Sequence, residues 1–441
     1  MMIRSRTRIF AALFLALAVR LCLMPITLHG DLIFIHYFPH FFSYHGVLDI
    51  YGYFGDHFIK MVGTTYYQPL VYYAIGIFQW FLRPINPEFL SFMNLVHERA
   101  YSGTSYELSG YLAFFSRHQI FWMIFLMKLP YLAAEIACWA IAPRLFSSQE
   151  EKGRVLKLFL WSPVIIFSSY VLGQYRIFSV LAMLLSIFAL QRGNKAFSGI
   201  MYAMVCLMEN YAVLLLPFMA LVIRGPLRER LRWWIGAALC LAAVLVPLFI
   251  LSKGYVLGAY FSPRLLRAAS ARTIFNHFAG PVNLACKAIW GLSYAVIFIF
   301  LLKSVRRQDK PVVERELFIF VPLMLLMILY ATSITSVHYL MWSLPFLIIV
   351  QIWREPWKPV LTWVFVALAF LFNLDGRAMN LALFLPLDPH VFSSAPSLHE
   401  VLAQFLPWGK IIAMARLSFS LVCLYFAWKL WQVEVRPRLE R

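Results

Sequence analysis

Long apolar runs separated by short basic clusters form the main pattern of hydrophobic and polar positions along the chain. The first run, residues 9–28, follows Arg4, Arg6 and Arg8. A spanning helix needs about 20 mostly apolar residues, and basic residues concentrate on the cytoplasmic side of a membrane. The pattern therefore predicts a retained first helix that leaves the cytoplasm and places Asp31 outside.

Later basic clusters predict the remaining crossings if all of them are cytoplasmic. Between two such clusters the chain must return to the same side, so each apolar stretch crosses twice or contains an outside loop. Hairpins are expected with outer tips at 173–176, near Glu209 and Asn210, and at 332–339. Single crossings and long outer loops are expected as follows: crossings at 119–142, 233–251, 285–302, 359–374 and 409–431, and loops at 252–284 and 375–408.

Residues 66–82 are too short to be an assured span. They form either an interfacial or re-entrant helix, which gives twelve spans, or a crossing with a return near 106–127, which gives fourteen. We expect an all-α polytopic membrane protein with about twelve spans and both termini in the cytoplasm. Residues 1–441 form one integral domain, in which 29–118 make up the first outer region.

Composition supports the membrane class. Hydrophobic residues make up 62% of the 441 positions and charged residues only 13%, whereas soluble domains carry about 25% charged residues. The net charge of +19 lies in the short clusters that the positive-inside pattern explains, which excludes nucleic acid as a partner. The chain has no Asn-X-Ser/Thr sequon, which favours a bacterial inner membrane over the endoplasmic reticulum.

Polar and ionisable side chains at membrane depth are functional candidates, and here they gather on the predicted outer face. The first outer region holds Asp31, Asp49 and Asp56 together with several histidines. The predicted hairpin tips add Gln174, Arg176, Glu209, His338 and Tyr339. Among these histidines only His36 and His40 have the helical i, i+4 spacing of a zinc motif. Histidines among aromatic residues at a membrane interface are more common than metal ligands, so we expect no divalent metal and no other cofactor.

The stretch "SPRLLRAASARTIF" carries Arg264, Arg267 and Arg272 on the predicted outside, against the usual charge bias. Ser262 and Pro263 are typical of a helix start. Guanidinium groups bind phosphate through paired hydrogen bonds, so the arginines are candidates for a phosphate site. The alternative is an interfacial helix that touches lipid headgroups without specificity.

Several stretches taken in order are similar to the GT-C superfamily of glycosyltransferases, which use sugars linked to polyprenyl or dolichyl phosphate. The first is an acid after helix one, followed by "HGVLDIY" and "YYQPL". The others are "KLPYLAAEI", which begins at Lys128, "WSPVIIFSSYVLGQYR", "GIMYAMVCLMENYAVLLLP" and "SVHYLMWSLPFL". The family often has Asp where Arg176 stands and Lys near Glu209, so the two residues resemble a charge-swapped ion pair with an architectural role.

The resemblance implies transfer of a hexose, with mannose as a candidate, from a lipid-phosphate donor to a lipid-linked or cell-surface glycan or glycolipid acceptor. The reaction would be inverting and independent of metal. Asp31 would take the acceptor proton, with Asp49 and Asp56 as competitors. The three outer arginines and His338 would bind the donor phosphate, and Gln174, Arg176, Glu209, Lys128 and Tyr339 would support the site.

A flippase for lipid-linked sugars, or another polytopic transporter, is the alternative. A transporter predicts ionisable residues deep in the bundle and two related halves. The sequence has no evident internal repeat, and its polar candidates lie towards one face. This asymmetry favours an enzyme with a one-sided site.

Overall fold

A computed structural model describes residues 2–57, 67–101, 111–116, 120–253, 255–257, 281–304, 311–333, 336–353, 357–374, 381–394 and 396–440. All regular structure in these ranges is helical. The helices of the first half are α1 Met2–Ile26, α2 Gly30–His45, α3 Ile50–His57, α4 Pro69–Leu82, α5 Glu88–Tyr101, α6 Leu112–Phe115, α7 Ile120–Ile141, α8 Gln149–Leu160, α9 Pro163–Ile165 and α10 Ile177–Gln191.

The second half continues with helices that are on average longer. They are α11 Lys195–Cys206, α12 Asn210–Val222, α13 Leu227–Leu251, α14 Pro281–Ser304, α15 Pro311–Thr332, α16 Leu344–Ile352, α17 Trp357–Asn373, α18 Pro389–Ser394, α19 Leu398–Ala403, α20 Trp408–Lys429 and α21 Arg436–Glu440. Two π-helical segments, Ile166–Val171 and Leu430–Val435, extend α9 and α20. Short 3₁₀ turns occupy Arg83–Ile85, Ala142–Leu145, Tyr255–Leu257, Val337–Trp342 and Leu381–Phe384.

Seven helices in the described ranges are long and apolar enough to cross a membrane. They are Ile9–Ile26, Ile120–Leu145, Gln149–Val171, Leu227–Leu251, Ala285–Ser304, Glu314–Thr332 and Trp408–Leu439. Four shorter apolar helices are Ile177–Gln191, Lys195–Cys206, Asn210–Val222 and Lys358–Asn373. The protein is therefore an all-α membrane protein with several spans.

The predicted hairpin tips coincide with breaks in the helices. The chain leaves helical structure between Val171 and Ile177, and α11 ends at Cys206 only four residues before α12 begins at Asn210. Gly173 has a φ of +70°, in the left-handed region where glycine is favoured, so it makes the first turn possible. Sequence reasoning located both turns because each lies midway between two basic clusters.

The segment 66–82 contains α4, which has 14 residues. At 1.5 Å per residue such a helix is about 21 Å long, whereas the hydrocarbon core of a bilayer is about 30 Å thick. Nearer the N-terminus, α2 has 16 residues, begins four positions after the last residue of α1 and is mostly buried. The first outer region therefore starts with a packed helix.

The chain divides into two compact units. The first unit comprises Met1–Ile50, Val71–Phe178 and Asn373–Gly409. Its α1 packs against α7 and against the π-helix Ile166–Val171. Thr27, Lys128 and Tyr170 meet at the end of α1.

The second unit comprises Tyr51–Leu70, Ser179–Phe372 and Lys410–Arg441. Its central helix is α15, in which 89% of the residues of the apolar stretch are buried. In the apolar stretch of α14 only 11% of the residues are buried, so most of its side chains point outward. Helices α11 and α13 approach closely because Gly199 faces the Trp233 carbonyl and Gly236 faces the Ala196 carbonyl. Outward apolar side chains on α14 are expected where a helix faces lipid.

Candidate functional site

Asp31 lies in the first turn of α2, five residues after the end of α1. Its side chain is 36% exposed, so a molecule at the surface can reach the carboxylate. Its backbone N–H donates to Nδ1 of His29, the residue that caps α2, at 3.1 Å. The sequence predicted an acid at the end of the first helix, and the structure adds that local hydrogen bonds hold it.

Gln174 and Arg176 come to Asp31 from the break before α10. Nε2 of Gln174 donates to Oδ2 of Asp31 at 2.5 Å, and Nη1 of Arg176 donates to Oε1 of the same Gln174 amide. Both residues are buried. The Gln174 amide accepts through its oxygen and donates through its nitrogen. Because Arg176 binds the oxygen, the NH₂ group of Gln174 faces the Asp31 carboxylate. We call Asp31, His29, Gln174 and Arg176 the Asp31 cluster.

A second set of contacts involves Thr27 and Tyr170, which precede Asp31 and Gln174 by four residues each. The Lys128 ammonium donates to the Thr27 carbonyl at 2.5 Å, to the Thr27 hydroxyl at 2.7 Å and to the Tyr170 carbonyl at 2.7 Å. The Thr27 hydroxyl lies 2.6 Å from the same Tyr170 carbonyl. Lys128 is fully buried. We call Lys128, Thr27 and Tyr170 the Lys128 junction.

Arg20 and Glu135 form a buried ion pair that sequence reasoning did not select. Nη2 of Arg20 lies 2.6 Å and its Nε 2.9 Å from the two Glu135 oxygens, and neither side chain is exposed. Arg20 also donates to the carbonyls of Ala16 and Leu160, and the Tyr170 hydroxyl donates to Glu135. An arginine within the first apolar run was the available signal, because an isolated charge there requires a partner.

The competing acids lie elsewhere along the outer region. Asp49 is half-buried and directly precedes α3. The neighbouring Tyr73 donates from its hydroxyl to the Leu48 carbonyl at 2.7 Å. Burial and then the negative charge of Asp49 raise the pKa of Tyr73. Asp56 lies on α3, but its side chain is outside the described part of the chain, so its role stays a prediction.

The second unit holds Glu209, His338 and Tyr339. Trp342 Nε1 donates to Oε2 of Glu209 at 3.0 Å, and the Trp342 ring stacks on Tyr211 with centroids 4.9 Å apart. Tyr339 lies 4.6 Å from Trp342 and 4.4 Å from His338, centroid to centroid. The structure thus brings the predicted tip residues 209 and 338–339 into one aromatic cluster.

Two further predictions from the sequence stay predictions. Arg176 belongs to the first unit and Glu209 to the second, so their charge-swapped pairing is neither supported nor contradicted. Arg264, Arg267 and Arg272 lie outside the described residues. The last described positions before them are Lys253 and 255–257.

The histidines of the first outer region have structural contacts. His36 Nδ1 accepts from Nε2 of Gln79 at 3.1 Å, and its Nε2 lies 3.2 Å from the Tyr131 hydroxyl. Burial lowers the pKa of His36 to about 3, and that of His40 also to about 3. Within the described ranges, no group of three or more His, Cys, Asp or Glu residues could hold a metal ion.

Comparisons with protein-family models, with curated proteins and with solved structures find no match for this chain.

Proposed function

We propose that the protein is a membrane glycosyltransferase of the GT-C type that transfers a hexose from a polyprenyl-phosphate donor. The observation that carries the proposal is the Asp31 cluster. It contains a partly exposed carboxylate at the end of the first span, held by a buried amide that a buried arginine orients. Such an acid can accept a proton from a molecule arriving at the membrane surface.

The chemistry needs one base and no general acid. The acceptor hydroxyl oxygen attacks the anomeric carbon, the bond between that carbon and the phosphate oxygen breaks, and Asp31 takes the hydroxyl proton. Polyprenyl phosphate leaves with the electron pair of the broken bond. A single displacement of this kind inverts the anomeric configuration. The Gln174 hydrogen bond would hold the carboxylate in one orientation during the attack.

The donor phosphate requires cations at headgroup depth. We assign this role to Arg264, Arg267 and Arg272, with His338 as a hydrogen-bond donor, because guanidinium groups bind phosphate through two parallel hydrogen bonds. The acceptor would be a glycan or glycolipid on the same outer face. No nucleic acid and no divalent metal take part in this proposal.

The proposed topology has twelve spans with both termini in the cytoplasm of a bacterial inner membrane. In this topology α4, a helix of 14 residues, is an interfacial or re-entrant helix and does not cross. The seven long helices would cross together with the four short apolar helices and α16, which are short enough to need a locally thinned bilayer.

The direct test incubates the purified protein with a panel of radiolabelled polyprenyl-phosphate sugars and lipid extracts as acceptors. We expect one sugar to be transferred with inversion, in the presence of a metal chelator. Absence of transfer from every donor, by a protein that remains folded, would contradict the proposal.

Asp31→Asn tests the assignment of the base. The substitution keeps the shape of the side chain but removes its ability to take a proton, so transfer should fall about 10²–10⁴-fold with donor binding retained. Asp388→Asn is the matched control, since Asp388 is an exposed acid that caps α18. Near-normal turnover in Asp31→Asn would move the role to Asp49 or Asp56.

A flippase for lipid-linked sugars is the second candidate, favoured by one observation. Arg20, Lys128 and Glu135 are fully buried in spanning helices, as a transporter would predict. Their hydrogen bonds support a structural role, because a transport site needs groups that can exchange partners. Movement of a lipid-linked sugar across liposomes by purified protein, without transfer to an acceptor, would favour the flippase.

A further inference from the structure

Two chain segments meet at the Asp31 cluster, and each is tied locally. On the first, the Leu32 backbone N–H donates to the His29 carbonyl at 3.0 Å, which fixes the start of α2 around Asp31. On the second, the Gln174 backbone N–H donates to the Ser168 carbonyl of the π-helix at 2.8 Å. Each side chain therefore moves with its own segment.

The two segments are joined a second time by the Lys128 junction. Thr27 precedes Asp31 by four residues, and Tyr170 precedes Gln174 by four residues. An ammonium group has three N–H bonds. Lys128 directs them to two oxygens of Thr27 and one of Tyr170. The Lys128 junction therefore lies four residues before the Asp31 cluster on both segments.

The junction contains no carboxylate. All three acceptors of Lys128 are neutral oxygens, and among the described residues no carboxylate oxygen lies within 4.0 Å of its ammonium nitrogen. A buried cation without a counter-ion is costly. A simple packing role could be filled by an apolar residue at no such cost, so the geometry favours a positional role.

We propose that Lys128 is a positioning residue, which holds the segments 27–31 and 170–174 in the register that lets Gln174 contact Asp31. The inference rests on the proposed function for its kinetic consequences, but its geometric content is independent of that function. Lys128 does not touch the reacting atoms. It acts through Thr27 and Tyr170.

The geometric test needs no activity. In a chain whose own cysteines are replaced, Cys is placed at both Asp31 and Gln174, and a short thiol-specific cross-linker is added. We expect rapid cross-linking with Lys128 present and much slower cross-linking with Lys128→Met, which keeps an unbranched apolar side chain but removes all three donors. Equal cross-linking rates would overturn the proposal.

The kinetic test uses the chain with native Asp31 and Gln174. Misplacing a catalytic group by about 1 Å can cost about 100-fold in rate, so Lys128→Met should lower kcat by about 10- to 100-fold with little change in donor KM. The matched control is Gln79→Met, which removes a buried amide that contacts His36 and Ser43 instead. Gln79→Met should leave kcat and cross-linking unchanged, and a loss equal to that of Lys128→Met would indicate general destabilisation and overturn the proposal.

Thr27→Val covers the case in which Lys128→Met does not fold. It removes only the hydroxyl shared by Lys128 and Tyr170 and keeps the Thr27 carbonyl, so an intermediate slowing of cross-linking is expected. Unchanged cross-linking in this variant would contradict the proposal. If the native chain transfers no sugar at all, the proposed function fails, and the cross-linking result alone decides the role of Lys128.

Discussion

At the scale of single residues, the charged groups of the first unit include some that face the surface and others that hold the helices together. Asp31 belongs to the first kind, since about a third of its side chain is exposed. Arg20 and Glu135 belong to the second, because both are fully buried and each is bonded to further partners. Substitutions at the two kinds of group should therefore have different effects.

Glu135→Gln should destabilise the protein. Removing one partner of a buried pair leaves an uncompensated charge, which costs about 3–5 kcal/mol. The double variant Arg20→Met with Glu135→Gln removes both charges and should recover most of the loss. Thermal unfolding in detergent measures the effect, and strictly additive losses in the double variant would show that the two residues are not coupled.

Acidification should destabilise the fold through His36 and His40. Burial lowers both pKa values from 6.5 to about 3, so the unfolded chain binds protons between these values and the folded chain does not. The free energy of unfolding therefore keeps its full value above pH 6.5 and falls as the pH drops towards 3, by up to about 1.4 kcal/mol per pH unit for each histidine.

The measurement is the unfolding midpoint between pH 7.5 and pH 4.5. His36→Gln should flatten this dependence, because glutamine can hydrogen-bond but does not titrate. An unchanged slope in the variant would mean that His36 does not contribute to the pH dependence.

At the scale of secondary-structure elements, the close packing of α11 against α13 depends on a glycine in each helix. A Cβ on Gly199 would overlap the Trp233 carbonyl, and a Cβ on Gly236 would overlap the Ala196 carbonyl. Both obstacles are backbone atoms, which cannot rotate away. The pair explains why α11 and α13 pack so closely.

Gly199→Ala should lower the free energy of unfolding by about 1–3 kcal/mol, because α11 and α13 must separate to admit the methyl group. Gly291→Ala is the matched control, since Gly291 lies on α14 with open space around it. Alanine favours helix over glycine by about 0.5–1 kcal/mol, so the control should be neutral or stabilising. Equal unfolding midpoints for the two variants would contradict the packing argument.

At the scale of the whole molecule, the proposed topology rests on the assignment of the basic clusters to the cytoplasm. Single cysteines in a chain otherwise free of cysteine can be labelled from outside with a reagent that does not cross membranes. A cysteine at Lys253 should react, whereas one at Asn194 should react only after the membrane is opened. Reaction of both from outside would exclude the proposed orientation.

The same method separates twelve spans from fourteen. Pro87 directly precedes α5 and is exposed. If α4 does not cross, a cysteine at this position faces outside and reacts with the impermeant reagent. Protection of the cysteine until the membrane is opened would favour fourteen spans.

Sequence alone predicted the class of protein, the turns at 173–176 and near Glu209, and the position of Asp31 at the end of α1. These features follow from hydrophobic runs of span length and from the alternation of basic clusters, which are local properties of the chain. The three outer arginines and Asp56 remain predictions, because they lie where the structure describes no side chain.

Only the tertiary structure decided which polar groups meet. Gln174 and Asp31 are 143 positions apart, and Arg20 and Glu135 are 115 apart. Their contacts depend on the way α1, α2, α7 and the π-helix pack, and helical periodicity does not specify which helices become neighbours. Pattern reasoning could identify Lys128 and Glu135 as polar residues in an apolar segment. Their partners emerged only when the packed helices brought Thr27, Tyr170 and Arg20 within hydrogen-bonding distance, because a buried charge in a membrane requires such partners.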